Sequence, residues 1–115
     1  MHNFRNLKIY QRAIEFSVKI YNLTKSFPKE ELFGLTNQIR RAVTSISLNV
    51  AEGSGNSSNK EFKRFLEISL RSNYEVIACL EIAQRLTYCK KEDTDNLITE
   101  ANEIASMIVG FRKQL

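Results

Sequence analysis

Apolar and polar residues alternate along this chain with the three- and four-residue spacing of amphipathic helices. The clearest example lies between Gly34 and Gly55, where one predicted face is apolar and consists of Leu35, Ile39, Ala42, Val43, Ile46 and Val50. Beside that face runs a polar stripe of Gln38, Arg41, Ser45, Asn49 and Glu52, which spans roughly 80° of the helical wheel at about 100° per residue. Solvated side chains need no such order, so the polar stripe predicts a hydrogen-bonded network or a contact surface.

The first helix is predicted to run from Leu7 to Ser26, because the residue before Pro28 is pushed out of the helical region. Its apolar seam consists of Ile9, Ala13, Phe16, Ile20, Leu23 and Phe27. Pro28 suits the first turn of a new element, and we expect a short turn there before the second helix. The single proline and the four glycines are expected at element ends, with Gly53 as a left-handed cap of the second helix.

The third and fourth helices complete the pattern. A capping box at Ser58–Glu61 opens a helix predicted to span Lys60 to Tyr88, with a seam of Phe62, Leu66, Ser69, Asn73, Val76, Leu80 and Ala83. Asp93 or Thr94 is predicted to cap the fourth helix, whose seam is Leu97, Ala101, Ile104, Ile108, Phe111 and Leu115. Four such helices with short links fold most simply as an up-down-up-down antiparallel four-helix bundle, so we expect one all-α domain over residues 1–115.

Polar residues within the third seam need partners, because buried amides are normally hydrogen-bonded. Our structural interpretation is that the polar stripe satisfies Asn73 across the bundle, which gives a network of Gln38, Arg41, Ser45, Asn49, Glu52 and Asn73. Asn73 could instead set the helix register or face a neighbouring subunit. A second apolar stripe exceeds the needs of one bundle and predicts an oligomer interface; it consists of Leu70, Tyr74 and Ile77.

Composition narrows the class of protein further. The chain has a formal net charge of +4, and residues 1–51 carry eight Lys or Arg against three Glu. This mild basic bias is compatible with nucleic-acid contact. The chain offers no apolar run of the roughly 18 residues that a membrane span requires. Cys79 and Cys89 lie about 15 Å apart on one predicted helix, too far for a disulfide, so we expect reduced thiols in a cytoplasmic protein.

Side chains that carry catalysis are missing from the pattern. His2 is the only histidine, and no set of His, Cys and carboxylate residues has the spacing of a metal site. The Glu-x-x-His pairs of di-iron bundles are absent, Ser45 has no histidine partner, and the Gly53–Asn59 loop lacks the ending of a phosphate loop. We therefore expect a protein that is not an enzyme and holds no cofactor and no metal.

Several sequence blocks carry a family resemblance. They are Phe27-Pro28 with Glu30-Glu31, Gly34-Leu35, Gln38-Ile39-Arg40-Arg41-Ala42, Ser45-Ile46, Asn49-Val50-Ala51-Glu52-Gly53, Glu61-Phe62, Phe65-Leu66 and Ile68. Together they resemble the bacterial four-helix-bundle family encoded within intervening sequences of 23S ribosomal RNA genes, over nearly the whole chain. That family tends to have a Gly-Ser pair in the middle of its third helix, where this chain has Arg71-Ser72.

The resemblance implies a homo-oligomer, most simply a homopentamer, and similar pentamers act as nucleic-acid-binding accessory proteins in retroelements. Our first functional hypothesis is therefore low-specificity binding to the RNA or DNA backbone. The candidate phosphate contacts are Arg40, Arg41, Lys60, Lys63 and Arg64. The alternative is a protein-interaction scaffold without a nucleic-acid role, in which Arg40 and Arg41 are solvated or form salt bridges and the polar stripe is internal packing.

Overall fold

The computed structural model describes residues 3–55 and 58–115, so His2 and the middle of the predicted Gly53–Asn59 loop lie outside the described residues. Within them the chain forms four long helices and no strand: α1 (Lys8–Thr24), α2 (Leu35–Ser54), α3 (Asn59–Arg85) and α4 (Lys91–Lys113). Short 3-10 turns occupy Phe4–Asn6 and Lys29–Glu31. Each helix packs on the next and α4 returns beside α1. The predicted all-α four-helix bundle is confirmed.

The interior of the bundle is built from the predicted apolar seams. Phe16 and Phe62 are the largest of the fully buried side chains. Around them each helix contributes residues at three- and four-residue steps, among them Ile20, Ile39, Ile46, Leu66, Leu80, Ile104 and Ile108. Because burial of such side chains is the main favourable term in folding, the periodic positions decide which face of each helix points inward.

Gly53 does not end α2 as a left-handed cap, so that prediction is wrong. The helix continues to Ser54, and Gly55 follows with a right-handed φ of −79°. A Cβ atom added to Gly53 would lie 2.7 Å from Cβ of Phe65 and 2.9 Å from Cδ1 of Phe62. The absent side chain therefore lets α2 and α3 approach each other closely. Gly110 also departs from prediction, because it lies inside α4 rather than at an element end.

The connection between α3 and α4 begins earlier than the sequence predicts. α3 ends at Arg85, and Thr87 adopts a left-handed φ of 61°. The Thr87 and Tyr88 N–H groups donate to the carbonyl oxygens of Gln84 and Ala83, each over 3.0 Å. This paired pattern is a Schellman motif, which usually has glycine at the left-handed position. Here the position is occupied by threonine, a β-branched residue that rarely adopts this conformation. The sequence therefore lacks the glycine that would have predicted the end of the helix.

The predicted cap of α4 at Asp93 or Thr94 is also wrong. The helix begins at Lys91, with Lys90 in the cap position. Thr94 is buried within the first turns, and its hydroxyl lies 2.9 Å from Oε1 of Gln84 at the end of α3. A threonine near a helix start resembles a cap in sequence, but here its hydroxyl serves the contact between two helices.

Candidate nucleic-acid interface

Arg40 and Arg41 are adjacent in sequence and lie on different sides of α2. Arg40 turns toward α1, where its Nε donates to Oγ1 of the buried Thr24 over 2.8 Å. Its guanidinium lies 4.8 Å from the centroid of the Tyr21 ring, a cation–π contact. Both contacts stabilise the packing of α1 on α2, so Arg40 is a structural residue as well as a candidate phosphate contact.

Arg41 lies in a polar groove between α2 and α3. The groove has a volume of about 460 Å³, and its lining consists of Asn37, Gln38, Arg41, Ala42, Ser45, Ser72 and Glu75. Arg41 is exposed, and its side chain forms no hydrogen bond or ion pair with another described residue. Its guanidinium is therefore free to contact a ligand, whereas that of Arg40 is partly occupied within the fold.

The polar stripe of α2 lies along the contact with α3. Nε2 of Gln38 donates to Oε2 of Glu75 over 2.5 Å, and the hydroxyls of Ser45 and Ser72 are 2.9 Å apart. Nδ2 of Asn49 donates to the carbonyl and hydroxyl oxygens of Ser45 over 2.8 and 2.9 Å. Gln38, Ser45 and Asn49 thus belong to a hydrogen-bonded seam between two helices. Glu52 is exposed near the end of α2.

Asn73 does not belong to that seam, so the predicted link across the bundle is wrong. Its Nδ2 donates to the carbonyl oxygen of Ala101 in α4 over 2.7 Å. Its Oδ1 is buried and has no hydrogen-bond partner among the described residues. One position along a helix turns a side chain by about 100°, so Ser72 faces α2 while Asn73 faces α4.

The basic residues at the start of α3 lie beside the end of α4. Nε of Arg112 donates to the carbonyl oxygen of Lys63 over 3.4 Å, which brings the C-terminal turn of α4 onto the first turns of α3. Lys8, from the start of α1, shares a shallow groove with the last turns of α4. We call this set of cations the basic end; it consists of Lys8, Lys60, Lys63, Arg64, Arg112 and Lys113.

The lysines of the basic end are not engaged in ion pairs and can therefore contact a ligand. Arg64 pairs with Glu61 over 3.2 Å, and Arg112 lies 3.8 Å from Glu67. Lys8, Lys60, Lys63 and Lys113 form no ion pair among the described residues. The sequence-based prediction missed Lys8, Arg112 and Lys113, because nothing local indicates that the end of α4 lies beside both the start of α3 and the start of α1. In an up-down-up-down bundle that arrangement follows from topology alone.

Arg41 is remote from the basic end. It is 12 positions from Gly53, the residue that packs on Phe62 and Phe65, which corresponds to about 18 Å along α2. The five predicted phosphate contacts are therefore distributed over three places. Only Lys60, Lys63 and Arg64 stay together, and Arg112 of α4 lies beside them.

The predicted oligomer stripe is largely used within the protomer. Leu70 and Ile77 are half-buried and pack against the core, and only Tyr74 has a side chain that is more than half exposed, at 52%. More open apolar side chains lie elsewhere, at Val18 of α1 and Leu48 of α2. The expectation that the whole stripe is exposed is therefore wrong for Leu70 and Ile77, and the oligomer interface itself stays a prediction.

Glu31 and Tyr88 form a structural hydrogen bond rather than an acid–base site. The Tyr88 hydroxyl donates to Oε2 of Glu31 over 2.7 Å, and the Leu35 N–H at the start of α2 donates to Oε1 over 3.0 Å. These donors lower the pKa of Glu31, and the same hydrogen bond raises the pKa of Tyr88. Gly34 makes room for the carboxylate, because a Cβ there would lie 2.6 Å from Oε1.

Other chemical features are few in the part of the chain that the structure describes. No group of His, Cys and carboxylate residues there could hold a metal ion. Cys79 is buried in α3, while Cys89 lies beyond its end, so the two do not share a helix as predicted. Burial raises the pKa of both thiols, which disfavours the reactive thiolate. None of the described helices combines the length and apolar character needed to cross a bilayer.

Comparison with known proteins places the chain in a family. No curated protein matches it significantly. Its fold is similar to a crystal structure of a protein of unknown function from the S23 ribosomal protein family of Bacteroides thetaiotaomicron, with 29% identity and a TM-score of 0.84 over 91% of this chain and 95% of that one. Residues 5–110 match the family model of the 23S rRNA-intervening sequence protein. The chain therefore belongs to the 23S rRNA-intervening sequence protein family.

Proposed function

We propose that this protein is a non-enzymatic bundle that binds the backbone of RNA or DNA through its basic end. The observation that carries the proposal is the meeting of the start of α3 with the end of α4, where Arg112 contacts Lys63. Lys60 and Lys113 are exposed there, and Lys63 is partly exposed. Cations without intramolecular carboxylate partners are free to displace counterions from phosphates, which is the main source of sequence-independent affinity.

The geometry favours contact with the backbone rather than with bases. The Phe65 ring near the basic end carries the Arg64 guanidinium 4.9 Å from its centroid, so one face of that ring is covered. Phe62 is buried against Phe111, with their centroids 5.5 Å apart. An aromatic platform for stacking single-stranded bases is therefore not available among these rings, and phosphate contacts would position the ligand.

We further propose that the protein acts as a homo-oligomer. Val18 on α1 and Leu48 on α2 expose 55% and 63% of their surface, and exposed apolar side chains of this size are typical of contact surfaces. A ring of copies would repeat the basic end around its circumference. Several weak phosphate contacts would then add through effective concentration. The family resemblance favours five copies.

A salt-dependent titration tests the nucleic-acid proposal. Fluorescence anisotropy with a structured RNA and a duplex DNA should show binding that weakens steeply as salt rises. The double variant Lys60→Gln, Lys63→Gln should bind more weakly, and its salt slope should fall by about 1 for each phosphate that the protein no longer neutralises. Light scattering on the same samples gives the oligomeric state, and a monomer at the concentration of binding would contradict the proposed ring.

The matched control changes the same kind of charge at the opposite end of the bundle. The double variant Lys25→Gln, Lys29→Gln neutralises two exposed lysines near the α1–α2 connection and should bind RNA and DNA as the wild type does. Equal weakening in both variants would mean that only the total charge matters. Absence of binding at low salt would remove the nucleic-acid role and leave a protein-interaction scaffold.

A further inference from the structure

A third groove lies at the end of the bundle opposite the basic end, between the end of α1 and the start of α2. It has a volume of about 290 Å³. Its apolar lining comes from Phe27, Pro28 and Leu32, of which Leu32 is 52% exposed. Its cationic lining comes from Lys25, Lys29 and Arg40. We call it the loop groove.

The cations of the loop groove have no carboxylate partner. Lys25, Lys29 and Arg40 form no ion pair among the described residues, whereas Lys19, in the last turns of α1, pairs with Glu100 over 2.8 Å. Three uncompensated positive charges around an apolar surface are complementary to a ligand that combines negative charge with an apolar group.

The side chain of Arg40 is preorganised at the edge of this groove. Its Nε is hydrogen-bonded to Thr24 and its guanidinium is stacked on Tyr21, so its long side chain keeps little rotational freedom to lose. Preorganised groups bind at a lower entropic cost than free ones. The planar guanidinium also suits a carboxylate, which it can bind through paired N–H donors.

An exposed aromatic side chain lies next to the groove. Phe33 follows Leu32 directly and exposes 92% of its surface. Nothing inside the described bundle covers this ring, and large apolar residues of this kind are typical anchors in protein interfaces. The loop groove and Phe33 together present an apolar centre with positive charge around it.

We propose that the loop groove binds an acidic segment of another protein that carries an aliphatic side chain. The aliphatic side chain would pack on Phe27, Pro28 and Leu32, and the carboxylates would pair with Lys25, Lys29 and Arg40. Nucleic acid fits this groove less well. The ring of Phe27 is buried against Tyr88, with centroids 5.6 Å apart, so inside the groove it offers no open face to a base. The exposed Glu30 opposes a continuous phosphate chain.

Fluorescence anisotropy with two labelled peptides tests this proposal. In the first peptide glutamates flank a pair of central leucines, and in the second both leucines are serines. The leucine peptide should bind the wild-type protein at low salt and the serine peptide at least about tenfold more weakly. Backbone amide shifts on binding should be confined to residues 21–40.

Variants of the protein locate the site. Lys25→Gln with Lys29→Gln should weaken binding of the leucine peptide by about tenfold or more, and Leu32→Ser should weaken it without changing the charge. The matched control Lys60→Gln with Lys63→Gln, at the basic end, should bind the peptide as the wild type does. All of these positions are at least partly exposed, so the variants should fold, which circular dichroism checks.

Three results would overturn the proposal. The first is absence of peptide binding at low salt. The second is equal weakening in both double variants, which would mean attraction by total charge only. The third is tighter binding of an oligothymidylate of matched charge that is lost in the Lys25/Lys29 variant, which would make the groove a nucleic-acid site. The basic end supplies the control variant for peptide binding, and the loop groove supplies the control variant for nucleic-acid binding. Either proposal can therefore fail while the other holds.

Discussion

The contact between α2 and α3 and the contact between α3 and α4 are built from different side chains. α2 meets α3 through small and polar residues, with Gly53 at one end and the Ser45–Ser72 pair in the middle. α3 meets α4 through larger groups, such as the Phe62–Phe111 ring contact and the Asn73 amide. The first contact allows close approach with its polar groups paired, while the second leaves Oδ1 of Asn73 without a partner among the described residues. α3 thus packs on α2 through small and polar side chains and on α4 through larger ones.

The difference also explains how α3 accommodates the large side chain of Arg71 beside the close contact with α2. Ser72, which follows it, faces α2 and bonds Ser45, but Arg71 is exposed and lies 3.8 Å from Glu67 on its own helix. The bulk of the arginine is therefore outside the close contact. The position that cannot carry a side chain is Gly53 on the opposite helix.

The largest expected effect comes from filling the close contact between α2 and α3. Gly53→Val should lower the free energy of unfolding by about 3 kcal/mol, because its side chain would overlap Phe62 and Phe65. Chemical denaturation of the variant and the wild type measures the change. Gly110→Val is the control, since nothing lies within 4 Å of a Cβ at that position. Equal losses in both variants would show that close packing at Gly53 is not the cause.

Arg40 and Arg41 extend the comparison to the two sides of α2. Arg40→Ala should cost about 2 kcal/mol, since it removes a charged hydrogen bond to the buried Thr24 and a cation–π contact. Arg41→Ala should change stability by less than about 0.5 kcal/mol, because its side chain is exposed and forms no ion pair among the described residues. Thermal denaturation compares the two. A larger loss in the Arg41 variant would contradict the structural role assigned to Arg40.

The α3–α4 contact should lose stability when its buried amide is removed. Asn73→Leu removes Oδ1, which is buried without a partner among the described residues, but it also removes the Nδ2 donor that lies 2.7 Å from the Ala101 carbonyl oxygen. Because the leucine methyl groups are also bulkier than the amide at this fully buried position, stability should fall by about 1 kcal/mol. Denaturant midpoints measure the loss. Ser69→Ala is the matching variant on the α2 side, because the buried Ser69 hydroxyl donates to the Ile46 carbonyl over 2.8 Å. It should lose stability.

Gly110 offers a small gain in stability on the outer surface of α4. Gly110→Ala should stabilise the protein by somewhat less than about 1 kcal/mol, because alanine is the better helix former and its Cβ meets no atom within 4 Å. The thermal midpoint should rise accordingly. A loss of stability would show that another chain approaches α4 closely at this glycine, and light scattering would then reveal the change in assembly.

Glu31 accepts hydrogen bonds from the start of α2 and from Tyr88, which follows α3, at the end of the α2–α3 contact opposite Gly53. These hydrogen bonds should make the stability of the protein depend on pH. Donors from Leu35 and Tyr88 lower the pKa of Glu31 below its ordinary 4.5. A carboxylate with a lowered pKa stabilises the fold above the ordinary value, and this contribution is lost as the pH falls through the lowered one. The wild type should therefore exceed Glu31→Gln in stability at about pH 7, and the gap should shrink as the pH falls below the ordinary 4.5 and through the lowered pKa.

Tyr88→Phe is the control for this pH dependence. It keeps a ring against Phe27 and removes the hydroxyl that donates to Glu31. Part of the acid-dependent gap should disappear in this variant, since the Leu35 N–H still holds the carboxylate. A gap between wild type and Glu31→Gln that stays constant with pH would assign the loss to packing rather than to the charge of Glu31.

Prediction from sequence succeeded where the signal is local. The apolar seams, the position of α1 and the Ser58 cap of α3, which accepts from the Glu61 N–H over 3.2 Å, follow from spacing and capping chemistry. It failed at Gly53 and Thr94, where a residue typical of a helix cap serves a contact with another helix. It also missed the end of α3, because Thr87 adopts the left-handed conformation that usually belongs to glycine.

The sequence by itself determined that four amphipathic helices form and which face of each is buried, because helical periodicity and the hydrophobic effect act on neighbouring positions. Only the tertiary structure decided which polar side chains meet. Rotation and register of the packed helices placed Arg40 against Thr24, turned Asn73 toward Ala101 and brought Arg112 onto Lys63. Those partners are remote in sequence, so no local pattern encodes them.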